Sequence, residues 1–258
     1  MASKNGSPSG RHAAPATSRQ DKIRQVSSTT RSGPSPMMIG GVVALVAIIA
    51  VVAWTIIANN NANTDKTKGG SELPKGVTAM GQAFIRATPK AGAPTLDIYE
   101  DFQCPGCHQF ETTFGAAVRQ MADDGTAKVA YHIMSFLDER FPGDNSKRAA
   151  VATFCAANFD RFGQYHDSVY ANQPAKEGQG WTDAQLEQYA KDSGITGADF
   201  GTWKTCYTQR ATQQYVSSMQ TASEKDGITS TPTVKLDGKA MTLDGMTAAD
   251  FTKAVTGS

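Results

Sequence analysis

The sequence predicts an α/β domain that carries a block of helices and is preceded by one transmembrane helix. Three observations carry that prediction. Strand-type and helix-type patterns follow one another as β, β, α, β, several helices, β, β, α over residues 77–258. One strand turns through Cys104-Pro-Gly-Cys107 directly into a helix. Met37–Ile57 is an uncharged run of twenty-one residues, which at about 1.5 Å per residue spans the roughly 30 Å hydrocarbon core of a bilayer.

Taken in order, residues 1–36 hold six Lys/Arg against Asp21 alone and are rich in Ser, Thr, Pro and Gly. Such a segment has little to bury and is expected to be a disordered basic leader. The positive-inside rule keeps it cytoplasmic, makes residues 37–58 a transmembrane signal-anchor and carries the rest across the membrane. A cleaved signal peptide is the competing reading. The long leader and the poor site after Ile57-Ala58 count against it. Residues 59–76 read as a polar linker. Residues 59–258 carry nineteen bases and twenty-three acids, so they have no basic bias and argue against a nucleic-acid partner. At 40% apolar and 19% charged, the composition is that of a globular protein.

Gln82–Arg86 is a candidate first strand and Thr95–Tyr99 a second. After the cysteines, Phe110, Phe114, Val118 and Met121 recur at helical spacing, and Asp124-Gly125 ends that helix. Lys128–Met134 is a third strand. Helices are predicted over Ala149–Phe159, Phe162–Tyr170, from Thr182 to about Ser193, and within Ala198–Lys225, so that a helical insertion covers about 146–225. Thr182 with Gln185 three residues on has the form of a capping box. Thr233–Leu236, the turn Asp237-Gly238 and Ala240–Leu243 read as a hairpin, with a last helix over Thr247–Val255.

All four cysteines lie on the translocated side, where disulfides persist. Cys104 falls at the start of a helix, and free N–H groups and the helix dipole there favour a thiolate over a thiol. A zinc site normally needs two close cysteine pairs or added histidines, whereas Cys155 and Cys206 are far apart. Cys104-Pro-Gly-Cys107-His108 also matches the haem-attachment pattern, but it ends a strand in an α/β pattern, the setting of a redox dithiol. A merely structural Cys104–Cys107 bond would close too small a loop to add much stability. No cofactor or metal is therefore expected, and His108 reads as an exposed or half-exposed helix residue. Cys155 and Cys206 are expected to form a structural disulfide pinning two helices together, with two buried free thiols as the alternative.

Glu100-Asp-Phe-Gln-Cys-Pro-Gly-Cys-His-Gln-Phe-Glu111 resembles the active-site block of the DsbA-like branch of the thioredoxin superfamily. Thr229-Ser-Thr-Pro232-Thr-Val234, directly before a strand, is similar to that family's cis-proline loop. The anchor and the second cysteine pair make the chain similar to oxidases of actinobacteria. The resemblance implies a thioredoxin-like fold with an inserted helical subdomain. It makes Cys104 the exposed nucleophile, Cys107 the buried resolving thiol, and Thr231-Pro232 an edge where a substrate chain pairs. Its implied partners are reduced, unfolded exported proteins and a membrane quinone-linked reoxidase of the VKOR or DsbB type. The expected activity is an extracytoplasmic oxidase of intermediate strength. Alternatives are a same-fold reductase of exported thiols, an isomerase, and a non-enzymatic binding domain. One departure stands out. Relatives often carry an acid six residues before the first cysteine, and Ile98 occupies that position. Asp97 and Glu100 flank it and are assigned to the face opposite Ile98. With Asp101, they are expected to be ordinary strand-end and turn acids.

Overall fold

A computed structural model describes residues 69–257. The leader 1–36, the apolar run Met37–Ile57 and residues 59–68 lie outside the described residues. Among the described residues, no helix is long and apolar enough to cross a membrane.

Strands β1 (Phe84–Ile85), β2 (Thr95–Asp101), β3 (Lys128–Met134), β4 (Thr233–Leu236) and β5 (Lys239–Ala240) form a mixed sheet in the order β1-β3-β2-β4-β5. β2 and β3 run parallel from Thr95↔Lys128 to Asp101↔Met134, and the other pairings are antiparallel. The parallel pair at the centre is buried along most of its length, as parallel strands generally are. Alternation puts Ile98 and Glu100 on the side of Tyr131, and Asp97 and Tyr99 on the side of His132.

Helix α1 (Pro105–Asp123) follows β2, and α7 (Ala248–Thr256) packs on it through Phe251, which meets Phe110 and Phe114. Between β3 and β4 come a short 3₁₀ helix (Phe136–Glu139) and α2 (Asn145–Ala157), α3 (Phe162–Ala171), α4 (Asp183–Asp192), α5 (Gly197–Thr208) and α6 (Gln213–Lys225). Ten of the thirteen residues of α2 are buried, so this alanine-rich helix is the centre of the block, packed against α3, α5 and α6. α6 also packs on β3. Cys155 of α2 and Cys206 of α5 are joined by a disulfide, and Trp203 Nε1–H donates to Ala152 O at 3.0 Å beside it. Thr182 and Gln185 form the reciprocal cap of α4.

Among the boundaries that differ from the periodicity, two have a clear tertiary reason. α2 starts at Asn145 rather than Ala149 because the Asp138 carboxylate accepts from Ser146 N (2.8 Å) and Lys147 N (3.0 Å). A cap supplied by a side chain seven residues upstream satisfies N–H groups that a local reading leaves open. β5 covers only Lys239–Ala240 instead of Ala240–Leu243. Met241 N still donates to Val234 O at 2.9 Å, and then the chain leaves the edge so that Leu243 and Met246 pack on the core.

Candidate active site

The end of β2 carries the first cysteine. Cys104 N donates to Asp101 O at 2.9 Å, turning the strand, and Cys104 then stands as the extended N-cap residue of α1 with Pro105 behind it. Proline suits this first-turn position because its missing N–H has no helical partner there. Cys104 and Cys107 are free thiols, 9% and 0% exposed. The difference sorts them: one sulfur lies at the surface of the core and the other is sealed inside it.

Thr231 reaches the site from the start of the neighbouring strand β4, which runs antiparallel to β2 and pairs Thr233 with Tyr99. The Thr231–Pro232 peptide is cis, and the Cys104 thiol donates to Thr231 O at 3.3 Å. At Gly106 a Cβ would lie 3.0 Å from Pro232 Cδ, so glycine lets the 231–232 turn close over the cysteines. Cys104, Cys107, Thr231 and Pro232, separated by more than 120 residues of chain, are thus brought together. Beside them lies a groove of ≈ 370 Å³ lined by residues including Gly106, Phe110, Pro232, Leu243 and Met246. A larger cavity of ≈ 630 Å³, lined by Lys75, Arg86 and Asp160 among others, contains neither cysteine.

The sulfur environments are unequal. The Cys107 thiol pulls the Cys104 thiol down to about 6, against an opposing effect of burial and helped by the Thr231 side chain and the N–H groups of Cys107 and Gly106. Burial pushes Cys107 well up, reinforced by the Cys104 sulfur and the charge of Glu100. At neutral pH the accessible sulfur is therefore largely thiolate and the sealed one a thiol. Alkylation of Cys104 is expected to follow an apparent pKa of about 6; a value in the ordinary thiol range near 8.5 would refute the assignment. The sign for stability follows. A depressed pKa makes the reduced fold gain stability relative to its Cys104→Ser variant as pH rises from about 6, and lose it again as pH falls through that value.

The acids before the cysteines are not ordinary surface groups. Glu100 and Asp101 are both fully buried. Glu100 is two residues from Ile98 and so shares its face, contrary to the expected placement; its Oε1 accepts from His166 Nε2–H of α3 at 2.5 Å. Asp101 accepts from Gln103 N (2.9 Å), Ser146 Oγ (2.6 Å) and Leu137 N (3.2 Å), tying the cysteine turn to the start of α2. Burial nevertheless raises the Asp101 pKa to about 7. Asp97, half-buried, pairs with His132 at 2.9 Å. Gln173 Nε2 donates to Phe102 O (2.7 Å) and Cys104 O (3.0 Å), and His108, half-buried, donates from Nδ1 to Tyr170 O at 2.8 Å. His166 and Gln173 carry no motif. The signal for His166 was its spacing: Phe162, His166 and Tyr170 recur every four residues, which puts the histidine on the aromatic buried face of α3. Glu100, Glu111 and His166 each place a ligand-type atom within 4.8 Å of the others. The Glu100 charge holds His166 as a cation, raised to about 10 against the lowering effect of burial, so an ion pair fills that space.

Comparison with known proteins agrees with this architecture. The thioredoxin family model matches residues 88–256. The chain is 28% identical over 127 residues to the serine/threonine-protein kinase PknE of Mycobacterium tuberculosis, covering 43% of this chain and 22% of the kinase; it thus spans about a fifth of that relative's length. It is 26% identical over 184 residues to disulfide bond formation protein D of Bacillus subtilis, 69% of this chain and 78% of that one. The solved structure of reduced DsbG, a disulfide bond oxidoreductase from M. tuberculosis, superposes with a TM-score of 0.53 at 25% identity, over 68% of this chain and 86% of that one. With the family model matching well over half of its residues, and a buried cysteine paired to a helix-capping one against a cis-proline turn, the chain belongs to the thioredoxin family.

Proposed function

We propose that the chain is a protein thiol–disulfide oxidoreductase that forms disulfides in newly exported proteins. One observation carries this reading: Cys104, at the N-terminus of α1, is held toward the thiolate while Cys107, one turn along, is a sealed thiol. A low-pKa thiolate is a good leaving group and stabilises the reduced site, so the disulfide form is the reactive oxidant. In the oxidising direction a substrate thiolate attacks Cys104 Sγ of the Cys104–Cys107 disulfide, and the electron pair of the broken bond goes to Cys107. A second substrate thiolate then attacks the substrate sulfur of the mixed disulfide and releases Cys104 as thiolate. Thr231 O stands beside Cys104, and Pro232 lines the groove where an extended substrate backbone lies.

Met37–Ile57 is the proposed anchor, with the basic leader cytoplasmic and the catalytic domain outside. Each turnover leaves a dithiol, so a membrane quinone-linked reoxidase of the VKOR or DsbB type is the proposed partner. Two measurements test the reading together. The oxidised protein should accelerate refolding of a reduced, disulfide-requiring test protein, and Cys104→Ser should not. The potential of the pair should lie above about −200 mV, toward the oxidising end of the family range. A potential near about −270 mV with disulfide-reducing activity alone would make it a reductase instead.

A further inference from the structure

The groove beside Cys104 is apolar at its floor and carries a single charge. Phe110 and Phe114 of α1, backed by Phe251 of α7, form the floor, and Met246 closes it from the facing wall. Along α1 the rim is polar but uncharged, with Gln109 and Thr113. Asp244 is the only charged residue among those that line the groove.

The facing wall is a tight turn. Met246 N donates to Leu243 O at 3.1 Å and Gly245 takes a φ of 74°, so Asp244 stands exposed at the tip while Leu243 and Met246 pack on the core. A turn of this kind needs the Asp244 backbone and not its charge, since asparagine and other turn residues serve there as well. Nor does the fold use the carboxylate. Asp101, Asp138 and Asp250 each accept backbone N–H groups, whereas Asp244 has no ion pair and no side-chain hydrogen bond among the described residues. An acid without a partner at the edge of an apolar trough leaves its charge to whatever lies in the trough.

The length of the groove limits what that charge can read. A Cβ at Gly106 would lie 3.6 Å from Cys104 Sγ, so Gly106 marks the end where the substrate sulfur binds. Thr113 lies two turns further along α1, or about 10 Å. An extended chain covers that distance in about three residues.

We infer that Asp244 is a specificity-determining residue, which selects substrate segments carrying a lysine or arginine within about three residues of the reacting cysteine. The inference rests on reading Cys104 and Cys107 as an exchange pair and names the side chain that this site favours in its substrates. A lysine or arginine laid in the groove gives the Asp244 carboxylate the cation that the fold withholds, and a glutamate there meets a like charge. The effect is on seating the segment and not on the sulfur chemistry. It therefore appears in the second-order rate of mixed-disulfide formation and fades with salt.

The test times the first exchange step with the reduced full-length protein. The probes are end-capped peptides Gly-Xaa-Leu-Cys-Leu-Xaa-Gly with Lys, Gln or Glu at Xaa, each joined by a disulfide to a chromophoric aromatic thiol. Their symmetry offers the same side chain to the groove whichever way the chain lies. The Cys104 thiolate attacks the peptide sulfur, the bond to the aromatic sulfur breaks, and the electron pair leaves on the coloured thiolate, whose release gives the rate. The Lys peptide should react fastest and the Glu peptide slowest. Asp244→Asn should lower the Lys-to-Glu rate ratio by about fivefold at low salt, and Asp244→Lys should lower it further. High salt should bring the wild-type ratio toward that of Asp244→Asn. Asp199→Asn removes an equal charge from the exposed first turn of α5, outside the groove, and should leave the ratio as it is. An unchanged ratio in Asp244→Asn, or an equal fall in Asp199→Asn, would overturn the inference and leave the exchange reading intact. A wild-type protein that forms a mixed disulfide with none of the three peptides would overturn the exchange reading itself.

Discussion

Replacing Cys107 with serine is expected to arrest the enzyme as a stable mixed disulfide through Cys104, with turnover lower by roughly 10³-fold or more. Cys104 keeps its place at the head of α1 and its N–H donors, so it remains a nucleophile. The sealed position next to it holds no second sulfur to displace the bound thiol. Incubation of Cys107→Ser with an oxidised substrate, followed by intact-mass analysis without reductant, should show one added substrate per molecule. Cys104→Ser should show none. Comparing Cys107→Ser with Cys107→Ala separates two contributions to the thiolate. The Cys107 thiol is the leading cause of the low Cys104 pKa, and serine retains a donor where alanine does not. The Cys104 titration should therefore shift upward further in Cys107→Ala than in Cys107→Ser. An adduct that forms equally well on Cys104→Ser would place the nucleophile elsewhere and sink the reading.

Removing the second cysteine pair is expected to cost stability rather than chemistry. The Cys155–Cys206 bridge spans 51 residues of chain, and closing a loop of that size in the unfolded state corresponds to about 4 kcal/mol on the chain-entropy estimate. For a domain of this size the melting temperature of the Cys155→Ala/Cys206→Ala double variant should fall by roughly 10 °C. The bridge ties α2 to α5, the same two helices joined by the Trp203–Ala152 hydrogen bond, and touches neither Cys104 nor Thr231. Exchange activity per folded molecule should stay at the wild-type level. The measurement is thermal unfolding by circular dichroism beside an exchange assay at low temperature; unchanged melting would show that packing alone holds the two helices.

Much of the architecture was legible because it is written locally. The four-residue recurrence of Phe110, Phe114 and Val118, the Thr182–Gln185 cap and the Asp237-Gly238 turn each act within a few residues, and α1, α4 and β4 appear where they were expected. The shortened β5 and the early start of α2 were not legible. Each is set by a partner outside its own local pattern: the core that receives Leu243 and Met246, and the Asp138 carboxylate that caps α2. The acids show the same division. Alternation along β2 gives Glu100 the face of Ile98, two residues away, although the sequence reading had assigned it to the opposite face. That this face meets His166, and that Asp101 anchors the cysteine turn to Ser146, depends on helices more than forty residues away.

By itself, then, the sequence determined the order of elements, the placement of Cys104 at a helix start and the motif that pairs it with Thr231-Pro232, since each is carried by neighbouring residues and their spacing. The tertiary structure alone decided how deep each sulfur lies and which groups act on it. The physical reason is that a pKa depends on burial and on groups within a few ångströms, and for these sulfurs those neighbours come from the end of β2, the first turn of α1 and the Thr231–Pro232 turn at once.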